Sequence, residues 1–235
     1  MMKQSFKSMM LMGAFMCGLS MCLISCEDIL GHWERPTPTN VTPSGGGDDD
    51  GGGSAPATYT MAKDATSTDK GKLICADGHI HAYGADTECT KARVAKIIYV
   101  GSSTDNTTYT HGLALALEDV SSNILTWDNS GYYNSSKTAA EWCSAWNTSK
   151  NVTDASWMLP SKDQWNTMIS AAGGTTSLRD GFSGITGASN LTTGVYWSST
   201  ESDSDKAWCY DFGGGVWGGS SGKNNDFKVR ACLAF

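Results

Sequence analysis

Apolar residues come in short bursts along this chain, and the period of each burst predicts its element. Ala92–Gly101 (ARVAKIIYVG) is rich in β-branched and aromatic residues, the texture of a buried strand. His111–Asp119 (HGLALALED) alternates Leu113, Leu115 and Leu117 with Ala114 and Ala116, so its larger groups share one face of a strand. Ala and Leu also favour a helix there, but the alternation makes strand the preferred reading. Leu73–Cys75 and Gly78–Tyr83 are shorter strand candidates. The period then changes. Thr138-Ala-Ala-Glu141 is a capping-box pattern, with Trp142 and Trp146 four apart behind it. Ser161-Lys-Asp-Gln164 is a second box, followed by Trp165, Met168, Ile169 and Ala172 at i, i+3, i+4 and i+7, a core-facing helical stripe. Gly173-Gly174 supplies a left-handed stop. A Gly/Ser/Thr loop (Gly174–Gly194) leads into two further strand-like runs, Gly194–Ser199 and Phe227–Phe235. Between these runs Trp208, Phe212 and Trp217 are spaced out by Gly, Ser, Asp and Asn, so strands and aromatic pegs carry a polar, loop-rich face. The elements add up to an α+β domain.

The N-terminal third follows another logic. Met1–Ser25 has a short basic start (Lys3, Lys7) and a Met/Leu/Phe-rich run, the layout of a secretory signal, too short and interrupted for a spanning helix. It ends in Leu23-Ile24-Ser25-Cys26, which resembles the lipobox of bacterial lipoproteins. There the chain is cut before the cysteine and the thiol is acylated, so Cys26 is the expected lipidation site. Several acyl chains, at about 0.8 kcal/mol per buried CH₂, anchor a protein stably. Glu27-Asp28 resembles the early acidic residues of surface-exported lipoproteins. Arg35–Thr58 is Pro- and Gly-rich around Asp48–Asp50, a composition that builds no core and serves as a tether. The expected organisation is therefore a signal peptide over 1–25, a lipidated N-terminus and linker over 26–71, and a ligand-binding domain over 72–235. The expected location is the outer membrane, lipid-anchored and facing the exterior.

Charge narrows the partners. With 24 acidic and 17 basic residues the formal charge is −7, and loss of Lys3 and Lys7 with the signal takes it to −9. No basic stripe is present, which argues against nucleic acid and against sulfated polysaccharides. Membrane contact is expected only through the lipid, and no cofactor is called for. Three adjacent Asp in a Gly bed read as solvated rather than metal-binding. His79 and His81, two apart, share a strand face but lack a visible third ligand, so no metal is assigned.

Of eight cysteines, Cys17 and Cys22 leave with the signal and Cys26 takes lipid. The exported setting favours disulfides, and five remaining thiols leave at least one unpaired. Cys143 on the first helix and Cys232 on the last strand can pack together and are read as a pair. Cys75 and Cys89 would close a short loop, and Cys209 is left over.

Trp157–Trp165 (WMLPSKDQW) is followed by Tyr196-Trp-Ser-Ser-Thr-Glu201, Ala207-Trp208, Phe212, Lys223 and Val229-Arg230-Ala231. Over Thr90 to Phe235 this combination resembles the bacterial Lcl C-terminal domain family, with its C-type-lectin-like fold. The resemblance implies two helices flanking a small, mostly antiparallel sheet, adjacent terminal strands, a long loop-rich C-terminal region and a helix-to-last-strand disulfide. It also implies a surface adhesion or ligand-binding role. The Glu-Pro-Asn and Trp-Asn-Asp motifs of calcium-dependent lectins are absent, Trp127-Asp128-Asn129 being out of order, so calcium-dependent sugar binding is not expected.

The C-terminal pattern also resembles the target proteins of diversity-generating retroelements, in which adenines of the final exposed segment are rewritten. An Asn codon altered only at its adenines can yield, among other residues, Ser, Asp, Gly, Cys, Tyr, Val or Phe. Ser202–Asp205, Cys209–Asp211, Gly213–Val216, Gly218–Gly222 and Asn224–Phe227 consist of that set plus Asn. A fixed loop of turn-forming residues has the same composition. On either reading the expected contact residues are Asp203, Asp205, Tyr210, Asp211, Trp217, Ser220, Ser221, Asn224, Asn225 and Asp226. Tyr and Trp offer low-entropy contact area, and Ser, Asn and Asp adaptable hydrogen bonds. Trp208, Phe212, Val229 and Arg230 are the expected scaffold, and the ligand an extracellular protein or glycan. Two other readings compete. One is a structural component of a surface fibre or glycan-uptake complex. The other is an enzyme of the related formylglycine-generating type, disfavoured because no nucleophile–base pair can be named.

Overall fold

The computed structural model describes residues 59–81, 91–128 and 136–235. The signal, Cys26, the tether with Asp48–Asp50, and Cys89 lie outside these residues. In chain order the strands and helices are β1 (Leu73–Cys75), β2 (Ile80–His81), β3 (Arg93–Val100), β4 (Gly112–Ala116), β5 (Leu125–Thr126), α1 (Ala139–Ser144), α2 (Trp146–Ser149), β6 (Ser156–Met158), α3 (Lys162–Ala171), α4 (Thr175–Asp180), β7 (Val195–Glu201), β8 (Lys206–Asp211), β9 (Val216–Gly222), β10 (Asp226–Phe227) and β11 (Cys232–Ala234). This is a mixed α+β architecture with antiparallel sheets and short helices.

The central sheet has six strands in the order β2-β1-β3-β4-β11-β6, every neighbouring pair antiparallel. The end of the chain is threaded into it. β11 lies between β4 and β6, and the Phe235 carbonyl accepts from the His111 and Gly112 amides at 2.7 and 2.9 Å. Both faces are covered, and the β4 pattern shows how. Ala114 and Ala116 enter one core cluster, and Leu113, Leu115 and Leu117 enter the other. β11 complements it position by position: Leu233 lies opposite Ala114, and Cys232 and Ala234 lie opposite Leu115 and Leu113. A large group meets a small one on each face, so both faces close at the density of a packed interior. The alternation read from the sequence is thus one of size, with both faces buried.

α1 and α3 begin where the sequence places them. The Thr138 hydroxyl accepts from the Glu141 amide and the Ser161 hydroxyl from the Gln164 amide, with the reciprocal side-chain bonds also made. α1 stops at Ser144, and Trp146 opens α2 rather than continuing the first helix. On α3, Trp165 and Met168 are fully buried, while Ile169 and Ala172 are partly so. Gly173 and Gly174 hold φ of +88° and +120°, the left-handed stop that ends this helix.

Several expectations need correction. Residues 174–194 are not all loop: α4 forms there, anchored by buried Leu178. Phe227–Phe235 is not one strand: β10 and β11 are separated by Lys228–Ala231, where the chain crosses from β7 to β4. β8 and β9 are paired strands, with a register shift between Ala207 and Cys209, where the sequence reads as loop. The packed chain also starts before residue 72, since Ala62 and Ala65 are buried in the first cluster. Cys143 and Cys232 are free, buried thiols rather than a disulfide. Their side chains enter different clusters, Cys143 with Ala114 and Leu233, Cys232 with Leu113 and Leu115, whereas a bridge needs converging Cβ atoms. They remain close enough for Cys232 to raise the Cys143 thiol, after burial itself. Cys75 is disulfide-bonded, and Cys89, the partner expected for it, lies outside the described residues.

Candidate functional site in the C-terminal sheet

β7, β8 and β9 form a three-stranded antiparallel sheet between the two core clusters. On one side Trp197, Ala207 and Cys209 enter the first cluster; on the other Tyr196, Tyr210 and Phe212 enter the second. Beneath the second side the aromatic pegs interlock edge to face. Trp165 lies 5.3 Å from Phe212, Phe212 5.3 Å from Tyr196 and 4.9 Å from Tyr210, ring centre to ring centre. Their polar ends are satisfied: the Trp165 and Trp197 indoles donate to the carbonyls of Trp197 and Leu125 at 3.2 and 2.9 Å.

Two cations fix this frame. Arg230, fully buried, donates to Asp119 Oδ1 at 2.7 Å, to the Ala116 carbonyl at 3.0 Å and to the Ser189 carbonyl at 3.1 Å. The Tyr196 hydroxyl donates to the same Asp119 at 3.3 Å, and burial, then the Asp119 charge, pushes its phenol pKa up. Lys223, 8% exposed, reaches under the β7–β8 turn. Its ammonium donates to the Ser204 carbonyl at 2.8 Å, lies 3.3 Å from Glu201 Oε2 and sits 4.6 Å over the Trp127 ring. The Lys223 amide donates to the Asp205 carbonyl at 2.9 Å. The sequence marks Lys223 only as part of a motif. Its role as a tie between two turns depends on β8–β9 pairing and was not legible there.

The ten expected contact residues do not form one face. Asp203, Asp205, Asn224 and Asn225 are exposed and come together at one end of the sheet, where the β7–β8 turn meets the β9–β10 turn around Lys223. Glu201, not singled out in the sequence, joins them. Asp211 is at the other end of β8, and its carboxylate accepts from the Gly213 amide at 2.8 Å, shaping the exposed Gly213–Val216 turn. Tyr210 is 5% exposed, its hydroxyl 2.6 Å from Thr175 Oγ1. Trp217 is half-buried: its indole donates to Asn166 Oδ1 at 3.0 Å, and its ring meets Trp208 and Tyr210 edge-on. Trp208, expected as scaffold, is partly exposed and carries the Lys162 ammonium 3.3 Å from its ring centre. The Ser221 hydroxyl lies 3.3 Å from the Cys209 sulfur; the Ser220 side chain lies outside what is described. Among the described residues Asp226 Oδ1 is buried without a partner, as is Thr126 Oγ1 at the paired position of β5. Phe212, Val229 and Arg230 are buried scaffold, as expected.

The exposed end carries carboxylates and amides with one exposed ammonium, Lys206, 3.9 Å from Asp203 Oδ2, so its acidic groups outnumber its exposed cation and it is suited chiefly to hydrogen-bonding and cationic groups. Cys209 lies inside, 2% exposed, with its thiol pKa pushed up by burial and held protonated, the opposite of an activated nucleophile. His79 and His81 are close, 6.4 Å between ring centres, with Tyr59 packed on both and His79 Nδ1 3.2 Å from Asp77. Among the described residues no three His, Cys, Asp or Glu side chains are grouped to hold a metal ion.

No family model and no curated protein matches the chain. One solved structure with which it aligns is described as a fimbrial protein from Bacteroides ovatus. The two share 14% identity with a TM-score of 0.47, over 71% of this chain and 48% of that one, so this chain spans about half the length of that protein.

Proposed function

We propose that this chain is a surface-displayed, lipid-anchored ligand-binding protein on a C-type-lectin-like frame. Cys26 carries the lipid, residues up to the first packed turn form the tether, and the end of the β7–β8–β9 sheet meets an extracellular protein or glycan. One observation carries the reading. Glu201, Asp203, Asp205, Asn224 and Asn225 are solvent-exposed at one end of a sheet anchored by buried Tyr196, Trp197, Ala207, Cys209 and Tyr210, and the cation beneath them, Lys223, is spent on holding their two turns together. A rigid base with adaptable polar side chains is the arrangement of a paratope. The C-type-lectin-like assignment and the Lcl resemblance rest on the sequence motifs. The binding role excludes a catalytic one in this proposal.

The test uses the full chain on immobilised glycan and protein arrays beside a variant carrying Asp203→Ala, Asp205→Ala, Asn224→Ala and Asn225→Ala. Loss of at least about tenfold in affinity for a captured ligand, with an unchanged melting temperature, is expected. Equal capture by the variant would remove the site. Radiolabelled palmitate incorporation that survives Cys26→Ala would remove the anchor.

A second reading, a structural component of a surface fibre, is favoured by β9. Among the described residues nothing pairs with its outer edge, and it carries no Lys, Pro or inward charge of the kind that blunts such edges. This reading rests on the strand edge and not on the likeness to the fimbrial protein. Gly219 has open space for a side chain, so Gly219→Lys tests it without a clash. If that change abolishes co-assembly with a partner while the four-alanine variant does not, the fibre reading replaces the first.

A further inference from the structure

Trp208 and Trp217 form an aromatic corner where α3 begins to cover the C-terminal sheet. Trp208 is the third residue of β8 and Trp217 the second of β9, and their rings stand 6.3 Å apart, centre to centre, with 89° between their planes. Both side chains are partly exposed. Gly219, two residues along β9 from Trp217, has open space where a side chain would stand. Trp217 is fixed from behind: its indole donates to Asn166 Oδ1 at 3.0 Å, and its ring meets buried Tyr210 edge-on, 5.1 Å between centres.

A cation already stands in this corner. Lys162 Nζ is 3.3 Å from the Trp208 ring centre and 5.3 Å from that of Trp217. Elsewhere in the chain ammonium groups take carboxylates: Lys150, Lys206 and Lys223 have one at 2.6, 3.9 and 3.3 Å. Among the described residues Lys162 Nζ has neither a carboxylate within ion-pair distance nor a hydrogen-bond acceptor, although the protein carries a net charge of −7. The two ring faces alone hold it. Its backbone is tied, the amide donating to Thr200 Oγ1 at 2.9 Å, but the partly exposed four-carbon stem beyond can swing aside.

The chemistry of the displacing group follows. A second ammonium gains nothing over one tethered in place at high effective concentration. A guanidinium does gain: it is planar, stacks on aromatic faces and gives up its hydration more readily. Asn166 Oδ1 accepts one bond from Trp217 and keeps a second lone pair for a guanidinium N–H. Exposed Asp163 adjoins Lys162, and exposed Asp203 and Asp205 lie in the turn that leads into β8, where Asp203 offsets the nearby Lys206 at 3.9 Å. The surrounding field therefore favours a cation.

We infer that the Trp208–Trp217 corner receives an arginine side chain of an extracellular partner protein, and that Lys162 holds its place in the free chain. The inference rests on the binding role proposed for this sheet and narrows its ligand from protein or glycan to a protein that presents an arginine.

Tryptophan-fluorescence and ligand-observed NMR titrations of the full chain with acetyl-Gly-Arg-Gly-amide, and with the same peptide carrying citrulline or lysine, test it. The arginine peptide is expected to bind saturably. The citrulline peptide, similar in shape but uncharged, and the lysine peptide, which only matches Lys162, are each expected to bind about fivefold more weakly or worse. Trp208→Leu is expected to weaken the arginine peptide by about fivefold or more. Lys162→Gln removes the resident cation and is expected to tighten it by about threefold or more, a gain that carries the test should Trp208→Leu fold poorly. Lys63→Gln, one positive charge fewer on the turn before β1, is expected to change nothing. No saturable arginine binding, equal binding of the citrulline or lysine peptide, no gain in Lys162→Gln, or an equal gain in Lys63→Gln would each overturn the inference. The titration needs no captured ligand, so a failed titration beside intact array capture removes the arginine corner and leaves the binding role standing.

Discussion

Single residues in this protein matter most where a charge is buried among carbonyls. Arg230 joins β4, the 189–190 segment and Asp119, so Arg230→Met removes the donor from five acceptor atoms and strips Asp119 of its closest cation, leaving Lys228 at 3.6 Å. A loss of about 3–5 kcal/mol in urea denaturation is expected. Arg230→Lys, which keeps the charge but not the fork, is expected to lose less. Lys223→Met frees the Ser204 carbonyl and Glu201; a smaller loss of about 1–3 kcal/mol is expected, with faster hydrogen exchange at 202–206 and 222–225 as the specific sign. Tyr210 behaves as packing and not as contact surface. Tyr210→Ala is expected to cost about 3–5 kcal/mol, so it cannot report binding separately from folding. The thiols make a pH prediction. Burial raises the pKa of Cys143, Cys209 and Cys232 above the ordinary 9.0, so above that pH the folded chain keeps protons that the unfolded chain has lost. Their contribution is fully present below pH 9.0 and falls as pH rises, by up to about 1.4 kcal/mol per thiol per pH unit. The Cys143→Ala/Cys232→Ala double variant is expected to show a shallower decline above pH 9 in denaturant titrations; an identical slope would contradict the assignment.

Among the elements, α3 and α4 mark the two ways a helix is specified here. α3 has a capping box and a buried stripe, both written locally; Ser161→Ala is expected to cost about 0.5–2 kcal/mol by thermal melting. α4 has neither a side-chain cap nor an apolar stripe. It forms because Leu178 is buried, Thr175 meets Tyr210, and Arg179 donates to the Phe212 carbonyl at 3.3 Å, all long-range contacts, so its local sequence reads as loop. β9, with its Gly and Ser, was hidden for the same reason: its partner β8 makes it a strand. Cys209 and Tyr210 fit the adenine-derived set but lie in the core, whereas Asp203, Asp205, Asn224 and Asn225 are exposed. Sequencing the gene and its flanks from sibling isolates is expected to show any diversification at the exposed four, sparing Cys209 and Tyr210. Variation at the buried pair to bulky or charged residues would mean the core tolerates what its packing forbids.

At the scale of the whole molecule, the central sheet has a core on each face, and the chain's last strand is the piece that lets both form. β11 comes from the end of the chain, yet it pairs with β4 and β6 and faces Leu113, Ala114 and Leu115. Removing residues 232–235 would therefore open both clusters, and no cooperative unfolding transition is expected from such a truncation by calorimetry.

The sequence by itself determined the elements whose signals are local: β3 and β4 from their residue types and alternation, the starts of α1 and α3 from their boxes, the end of α3 from its two glycines. It also marked Phe212, Val229 and Arg230 as scaffold. Only the tertiary structure decided that β4 is covered on both sides, that Cys143 and Cys232 enter different clusters, and that Asp203 and Asn224 share an end of the sheet while Tyr210 turns inward. It alone brought Lys162 onto Trp208 and Trp217. The physical reason is range. Capping, turn and alternation energies act over a few residues and are spelled out in order, whereas burial and charge pairing depend on which distant segments come into contact, and that is set by strand pairing across the whole chain.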